Sequence, residues 1–525
     1  MKVSALMTGF RSWSMLEKTG ILILAAMLAG LAGRIFSYPL NRDENLFIAV
    51  SSQLGHGDLY RDFGYNHLPN MPFLLGGLYF ITDTGHYLLV GRLMILAFWL
   101  LAILTLWLIA RQVKADRLTF LVTCLMLLGS TLMLGPPGIL VTNNFIPIPL
   151  AFLGIYYLLR AIDHAPHPSV SDAFRAGFFA SLAIGFKSNY IFLAPFFAGA
   201  ILLAKMQRPL RTRLVYGLLP LAFGGVVGAL PGLIHFAADP QGFLAHTLRY
   251  FTELQPAFWA HSDDPAVTGI KDKALLAESI WFSGTSLLTL AGIGISGLLI
   301  VLAKKPARIR QMPDIWPIIM TLGLIACGIL VSFAPSPSFP QYFVPPLPFL
   351  VLLFLLIVTR SMSEDSTLIR PVLLTLGALA LLGSVTRILP GIGSLLLPWD
   401  WEGISLHREM QQAAGRAQPT RNAYAATLTP VLALEAGYRI YPEFVAGQFV
   451  YRVAPYISPE DQPYYRTTSP EDLDSFLAQK DPQAIIVNMS EPMEQPFADY
   501  AINSGYRDVM PSGESGKVRL FVQEQ

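Results

Sequence analysis

Two neighbouring carboxylates, Asp43 and Glu44, stand in the run Asn41-Arg42-Asp43-Glu44-Asn45, just past the first long apolar stretch of the chain. A carboxylate kept ionised at a membrane surface can take a proton from an acceptor hydroxyl or hold a divalent metal ion such as Mg2+ or Mn2+. The same residues also have a structural use. Leu46, Phe47, Val50 and Leu54 fall at helical spacing, and acids that open a helix cap its backbone N–H groups and complement its dipole. Local chemistry alone puts the structural use first. The other polar motifs are sparser. His67, His235, His246 and His261 lack the spacing of a zinc site, which sets two His three or four residues apart on one helix face. Gly135-Pro136-Pro137-Gly138 is a turn rather than a phosphate loop, because the Gly-Lys-Ser/Thr ending is missing.

The elements that position these residues follow from composition. Of 525 residues, 53% are hydrophobic and 14% charged, against about 25% charged in soluble domains. The mean hydropathy is +0.49. Those values exclude an ordinary cytosolic enzyme, a disordered chain and a coiled coil, and indicate a polytopic membrane protein. A net charge of +2 gives no reason to expect nucleic acid as a partner. Cys124 and Cys327 both lie in apolar runs, which excludes a disulfide framework and a cysteine-based zinc site.

About eleven stretches are long and apolar enough to be spans: 20–37, 86–110, 117–134, 144–162, 173–186, 190–204, 213–233, 277–303, 315–333, 341–359 and 371–389. The fifth and sixth are short and meet at Gly185-Phe186-Lys187-Ser188-Asn189, which reads as a hairpin tip. The first is expected to stay as an anchor, since its apolar run is too long for a cleaved leader. Lys and Arg gather in every second loop: Lys2, Arg11 and Lys18; Arg111, Lys114 and Arg117; Arg160 and Arg175; Lys205, Arg208, Arg211 and Arg213; Lys304, Lys305, Arg308 and Arg310; Arg360 and Arg370. By the positive-inside rule these loops are cytoplasmic. The N-terminus is then cytoplasmic, and the outer loops 41–85 and 235–276 lie with the tail on the other side. The expected division is a membrane unit over 1–398 and a polar α/β unit over 399–525. Within the latter, 422–428, 484–488 and 518–523 read as strands and 430–436, 469–478 and 496–504 as helices.

The order of motifs adds a family resemblance. An acidic pair follows the first span. Tyr60-Arg61-Asp62 and His67-Leu68-Pro69 follow in the outer loop, Arg92 lies early in the next span, and Gln341-Tyr342-Phe343-Val344-Pro345-Pro346 opens a late one. Over 31–398 this pattern resembles the GT-C class of integral-membrane glycosyltransferases. Within that class it is similar to the bacterial superfamily of protein O-mannosyltransferases and lipid A aminoarabinose transferases. The resemblance implies a donor sugar carried on a polyprenyl phosphate, with the acceptor hydroxyl on a lipid, a glycan or a protein. It implies residence among the lipids of a bacterial inner membrane with the chemistry on the periplasmic face. It carries the catalytic base or metal carboxylate onto Asp43, with Glu44 supporting it. The chain departs from the family in having Leu68 where many members have Pro, and in lacking the Trp-Trp-Asp signature of oligosaccharyltransferases.

On that reading the phosphate is already a good leaving group, so one base and a cationic clamp suffice for an inverting displacement. A retaining hydrolase would need two facing carboxylates, and sequence neighbours such as Asp43 and Glu44 point in different directions. Lys187, at the hairpin tip beside Asn189 and Tyr190, is the first candidate for the clamp. Arg92, Arg387, Arg249 and Tyr342 are further candidates, and Arg61, Asp62 and His67 are outer-loop candidates. Each has a simpler use: a snorkelling cation for Lys187, a carboxylate's structural partner for Arg92 and Arg387, a solvated loop for Arg249, an interfacial belt for Tyr342. The alternatives to a transferase are a lipid or sugar transporter or flippase, and a non-catalytic subunit. A transferase requires Asp43, Lys187 and Tyr342 to meet in one outer-facing cavity, whereas a transporter requires a polar path through the membrane centre.

Overall fold

A computed structural model describes residues 14–263, 265–303, 315–364, 366–420, 422–510 and 517–523. The basic residues Lys2, Arg11, Lys304, Lys305, Arg308 and Arg310 lie outside them.

Each expected apolar stretch has a helix. Among the described residues, however, only seven helices are both long and apolar enough to cross a membrane: Met15–Ser37, Tyr87–Gln112, Leu210–Ala238, Gly284–Leu302, Trp316–Phe333, Pro340–Glu364 and Ser366–Leu395. The count of eleven is therefore not reached by length. The third expected stretch ends at Leu128, where Gly129 caps the helix Arg117–Leu128. The fourth becomes Pro147–Asp163, with prolines in its first turn. The fifth and sixth become Val170–Phe186 and the shorter apolar run Ser188–Leu203, broken at Lys187.

Packing sorts these helices by depth. Pro346–Glu364 is central, with Phe349, Leu352, Phe354, Leu355 and Val358 all buried. Leu210–Ala238 is peripheral and exposes Leu219, Phe223, Val226, Leu230 and Ile234. An outward apolar face of that kind is stable in lipid and not in water, so the chain is a multi-pass membrane protein. The first and last long helices cross at glycines. A Cβ on Gly33 would stand 1.6 Å from the Gly391 carbonyl oxygen, a backbone approach that only small residues permit.

The segments 41–85 and 235–276 are folded rather than loose. The first contains the helices Arg42–Ser52 and Asn70–Thr82. The second is helical over Pro240–His261, with a π-helical stretch at Ala245–Leu254. Beyond the last long helix, the helix Glu402–Ala417 leads into a five-stranded sheet. Its strands are β1 (Tyr424–Ala426), β2 (Arg439–Ile440), β3 (Ala484–Asn488), β4 (Arg507–Asp508) and β5 (Val518–Val522), in the order β2-β1-β3-β5-β4. β1 pairs in parallel with β2 and β3, while β5 runs antiparallel to β3 and β4. Apolar β3 is buried at Ala484, Ile485, Ile486 and Val487, as a central strand covered on both faces should be.

This C-terminal segment is stitched to the helices of those two segments. Asn45 Oδ1 accepts the Val431 N–H at 3.1 Å. Tyr250 donates its hydroxyl to the Phe449 carbonyl at 3.1 Å, and Tyr465 donates to the Ala245 carbonyl at 2.5 Å.

Candidate active site

Asp43 lies in the first turn of the helix Arg42–Ser52, but it does not supply the cap. Asn41 is the N-cap: its side chain accepts the Asp43 N–H at 3.0 Å, and Glu44 Oε2 accepts the Asn41 N–H at 3.1 Å. That reciprocal pair is a capping box. The structural duty that local chemistry assigned to Asp43 thus falls to Asn41 and Glu44.

Glu44 turns away from Asp43 and is fully buried. Its two oxygens accept Arg92 Nε and Nη2, both at 2.6 Å, and Oε1 also accepts the Val141 N–H at 3.0 Å. Arg92 donates a further hydrogen bond to the Ile35 carbonyl. Neither residue lines the cavity described next. Glu44 and Arg92 form one buried, bidentate ion pair, so Arg92 takes the simpler of its two expected uses, a carboxylate's structural partner. The pair ties the Asp43 helix to the span Tyr87–Gln112 and to the end of the first helix.

Asp43 opens onto a cavity of about 1080 Å3 that His67, Lys187 and Tyr342 also line. Lys187 is placed by two asparagines. Asn143 Nδ2 donates to the Phe186 carbonyl at 3.0 Å and Asn70 Nδ2 to the Leu182 carbonyl at 3.3 Å, which fix the end of Val170–Phe186. The Lys187 ammonium donates to Asn144 Oδ1 and lies 5.7 Å from the Tyr342 ring centroid. Burial draws its pKa down to about 7, and the charge of Asp43 opposes that fall. Burial also raises the Asp43 carboxyl above its ordinary range, against the lowering fields of Arg42, Arg452 and Lys187. His67 stacks on Phe47 at 5.2 Å between centroids. Burial, aided by the Lys187 charge, pushes it down to about 3, so its imidazole is neutral at physiological pH.

Arg452 completes the cavity wall from the C-terminal segment, and nothing in the local sequence marked it. Its guanidinium carbon stands 5.0, 5.7 and 5.1 Å from the rings of Phe258, Trp259 and Phe449. The side chain is 6% exposed and its Nε has no hydrogen-bond partner. A desolvated cation packed among aromatic faces with an unfilled donor is suited to receive an anion.

The remaining candidates sit elsewhere. Arg249 pairs with Asp461 at 2.9 Å, although its neighbours Leu248 and Tyr250 do line the cavity. Arg387 does not itself line the cavity but donates at 3.4 Å to Oγ1 of Thr131, which does. Arg61 is exposed, and Asp62 Oδ2 accepts the Asp58 N–H at 2.8 Å. For a divalent ion at Asp43, the donor set fits poorly. Asp43 is the one carboxylate on the cavity wall among the described residues, and it is surrounded by Arg42, Lys187 and Arg452. Mg2+ and Mn2+ favour several oxygen donors.

Comparison with known proteins accords with this architecture. Residues 66–234 match the family model described as dolichyl-phosphate-mannose-protein mannosyltransferase. No curated protein matches the chain in a sequence search. Among solved structures, ArnT from Cupriavidus metallidurans in the apo state aligns with a TM-score of 0.59 at 14% identity, covering 98% of this chain and 100% of that one. ArnT from the same organism bound to undecaprenyl phosphate aligns at 0.58 and 14% identity, covering 96% and 99%. The Archaeoglobus fulgidus oligosaccharyltransferase tethered to an acceptor peptide aligns at 0.46 and 13% identity, covering 96% of this chain and 74% of that one. The chain thus has the GT-C fold of ArnT and, over 66–234, the sequence pattern of the protein mannosyltransferases.

Proposed function

We propose that this chain is an inverting glycosyltransferase. It moves a sugar from a polyprenyl-phosphate donor to an acceptor hydroxyl on the periplasmic face of a bacterial inner membrane. Residues 1–398 form its membrane unit, and 399–525 its periplasmic α/β unit. The observation that carries the reading is the meeting of one carboxylate, Asp43, with two buried cations, Lys187 and Arg452, in a single cavity also lined by Tyr342. The ArnT structure bound to undecaprenyl phosphate supports a lipid phosphate as the donor's anchor.

In this reading Asp43 takes the proton of the acceptor hydroxyl as its oxygen bonds to the anomeric carbon. The bond from that carbon to the phosphate oxygen breaks on the opposite face, and the electron pair leaves with the lipid phosphate. Lys187 and Arg452 stabilise the charge that develops there. Burial, by raising the Asp43 pKa, makes it a stronger base. The cationic surroundings of Asp43 favour this role over metal binding. A second cavity of about 510 Å3 shares Arg42 with the first and is lined by polar groups from both units, among them Asn45, Glu402, Gln448 and Lys517. It offers the acceptor a route to Asp43.

The test is sugar transfer in detergent or nanodiscs with a panel of polyprenyl-phosphate sugars. Asp43→Asn keeps the shape and removes the base, so turnover should fall about 10²–10⁴-fold with expression and folding retained. Unchanged turnover in Asp43→Asn would remove the base assignment. An absence of transfer with every donor would return the transporter reading to the front.

A further inference from the structure

Away from the cavity, three side chains converge that the transfer reading does not use. His86 is the residue before the span Tyr87–Gln112. His407 lies in the helix Glu402–Ala417, and Glu435 ends the short helix Pro430–Glu435. None of the three lines the Asp43 cavity. One donor atom from each falls within 4.8 Å of the other two.

The details describe a site rather than a chance meeting. The two imidazole centroids are 3.7 Å apart with a 35° tilt. His407 Nδ1 stands 2.6 Å from Glu435 Oε2. The other carboxylate oxygen, Oε1, accepts the Leu88 N–H at 2.9 Å, and the Glu435 carbonyl accepts Gln411 Nε2 at 2.7 Å. Glu435 is completely buried and so is held in one orientation. His86 Nδ1 is buried with no hydrogen-bond partner.

That orphaned nitrogen faces a neighbour that cannot satisfy both rings. His407 is already engaged by Glu435 and by the Gly85 backbone, and the Glu435 carboxylate also takes the Leu88 and Tyr87 backbone N–H groups, so neither is free to serve His86 Nδ1. A Lewis acid between them would satisfy all three donors. Two imidazoles and a carboxylate are the donor set of a borderline transition metal; Ca2+ and Mg2+ prefer all-oxygen shells. Zinc takes such ligands at about 2.0–2.2 Å, and tetrahedral ligands then lie roughly 3.4 Å apart. The three donor atoms lie within 4.8 Å of one another here, so the rings must reorient around an ion to take that geometry. The Leu88 N–H already supplies the outer hydrogen bond that orients a ligating carboxylate.

We propose that His86, His407 and Glu435 form a binding site for Zn2+, or a cation of the same class, that clasps the C-terminal segment to the outer end of the second long helix. With three protein ligands the ion keeps one position for water. Structural zinc sites are ordinarily closed; what assigns this one the clasp role is its place between two chain segments and outside the wall of the Asp43 cavity.

The experiment uses the full-length protein in detergent, stripped with chelator and then equilibrated with equimolar ZnCl2 before desalting. Metal content is read by mass spectrometry. The expected result is about one zinc per chain, and Co2+ in its place should give the visible absorption of a four-coordinate site. His86→Gln and His407→Gln should each weaken zinc binding by more than the roughly 10–100-fold lost when an outer-shell partner is removed. Zinc should raise the unfolding temperature of wild type and leave that of the variants unmoved. Wild-type protein that emerges without zinc overturns the proposal without recourse to any variant. So does full retention of zinc by both variants. Because no readout depends on sugar transfer, a failure here leaves the transferase reading untouched, and the converse holds.

Discussion

Lys187 carries the sharpest pH consequence at the scale of single residues. Its pKa is drawn down to about 7 by burial, from an unfolded value near 10.4. The charged form is the one that grips a phosphate, so the grip weakens as pH rises through about 7. For stability the sign is the reverse: between pH 7 and about 10 the unfolded chain binds the extra proton, so stability rises with pH across that window. The donor KM of the wild type should therefore climb above neutrality. Lys187→Arg, whose guanidinium stays charged, should flatten that climb, and KM measured against pH in both proteins checks it. A climb of equal steepness in Lys187→Arg would assign the titration to another group. Asp43 and Lys187 were legible in the sequence because each stands out locally: an acid pair past an apolar span, and a lone cation in a hairpin tip. Arg452 was not, because its aromatic cage is drawn from Phe258 and Trp259 as well as Phe449, and only folding brings these together.

The helix Arg42–Ser52 shows how an element aims a residue. Asn41 and Glu44 consume the capping hydrogen bonds and Arg92 locks Glu44 in place, so Asp43, one residue back on the helix, is turned to the opposite side. The sequence revealed the helix and its acidic opening. The acid that completes the cap is local, in the Asn41-x-x-Glu44 spacing of a capping box; what the sequence could not say is that Glu44 also engages Arg92 and Val141 from other elements. Arg92→Ala should cost about 3–5 kcal/mol by stranding a buried carboxylate. The double variant Glu44→Gln/Arg92→Met should recover part of that loss, and thermal unfolding in detergent measures both. An Arg92→Ala protein as stable as wild type would show the pair to be dispensable. The hairpin tip is set in a comparable way. Gly185 lies so close to Asn70 that a Cβ would stand 2.2 Å from Nδ2, and Asn70 is what holds the Leu182 carbonyl. The short fifth and sixth helices were visible from the polar break at Lys187; the shortfall of the third came from Gly129, whose capping role an apolar count does not register.

At the scale of the whole molecule, the C-terminal segment forms part of the wall of the cavity. The strands and helices expected in it occur close to their predicted positions, notably β3 at Ala484–Asn488 and the helix Gln495–Asn503. Short buried apolar runs between turn residues carry that information locally. What the sequence withheld was where the segment docks, because the contacts of Val431 with Asn45 and of Phe449 with Tyr250 join distant parts of the chain. If the docked segment supplies the second phosphate cation, Arg452→Ala should lower kcat/KM about 10²-fold, the scale of losing one preorganised charge-stabilising donor. The same variant should leave stability nearly unchanged beside Arg92→Ala. Steady-state kinetics with a polyprenyl-phosphate sugar checks the first, and thermal unfolding the second.

The caged Arg452 also bears on the order in which the molecule matures. The carboxylate of the cavity is made near the beginning of synthesis and its last wall near the end, after every long helix has been threaded. A nascent chain halted after Leu395 possesses Asp43 and Lys187 but no Arg452, and its cavity lies open to water on that side. Such an intermediate has the carboxylate and one cation of the cavity without its last wall. On the proposed reading, the site is complete only once the C-terminal segment has docked, so transfer waits on the last-made part of the chain.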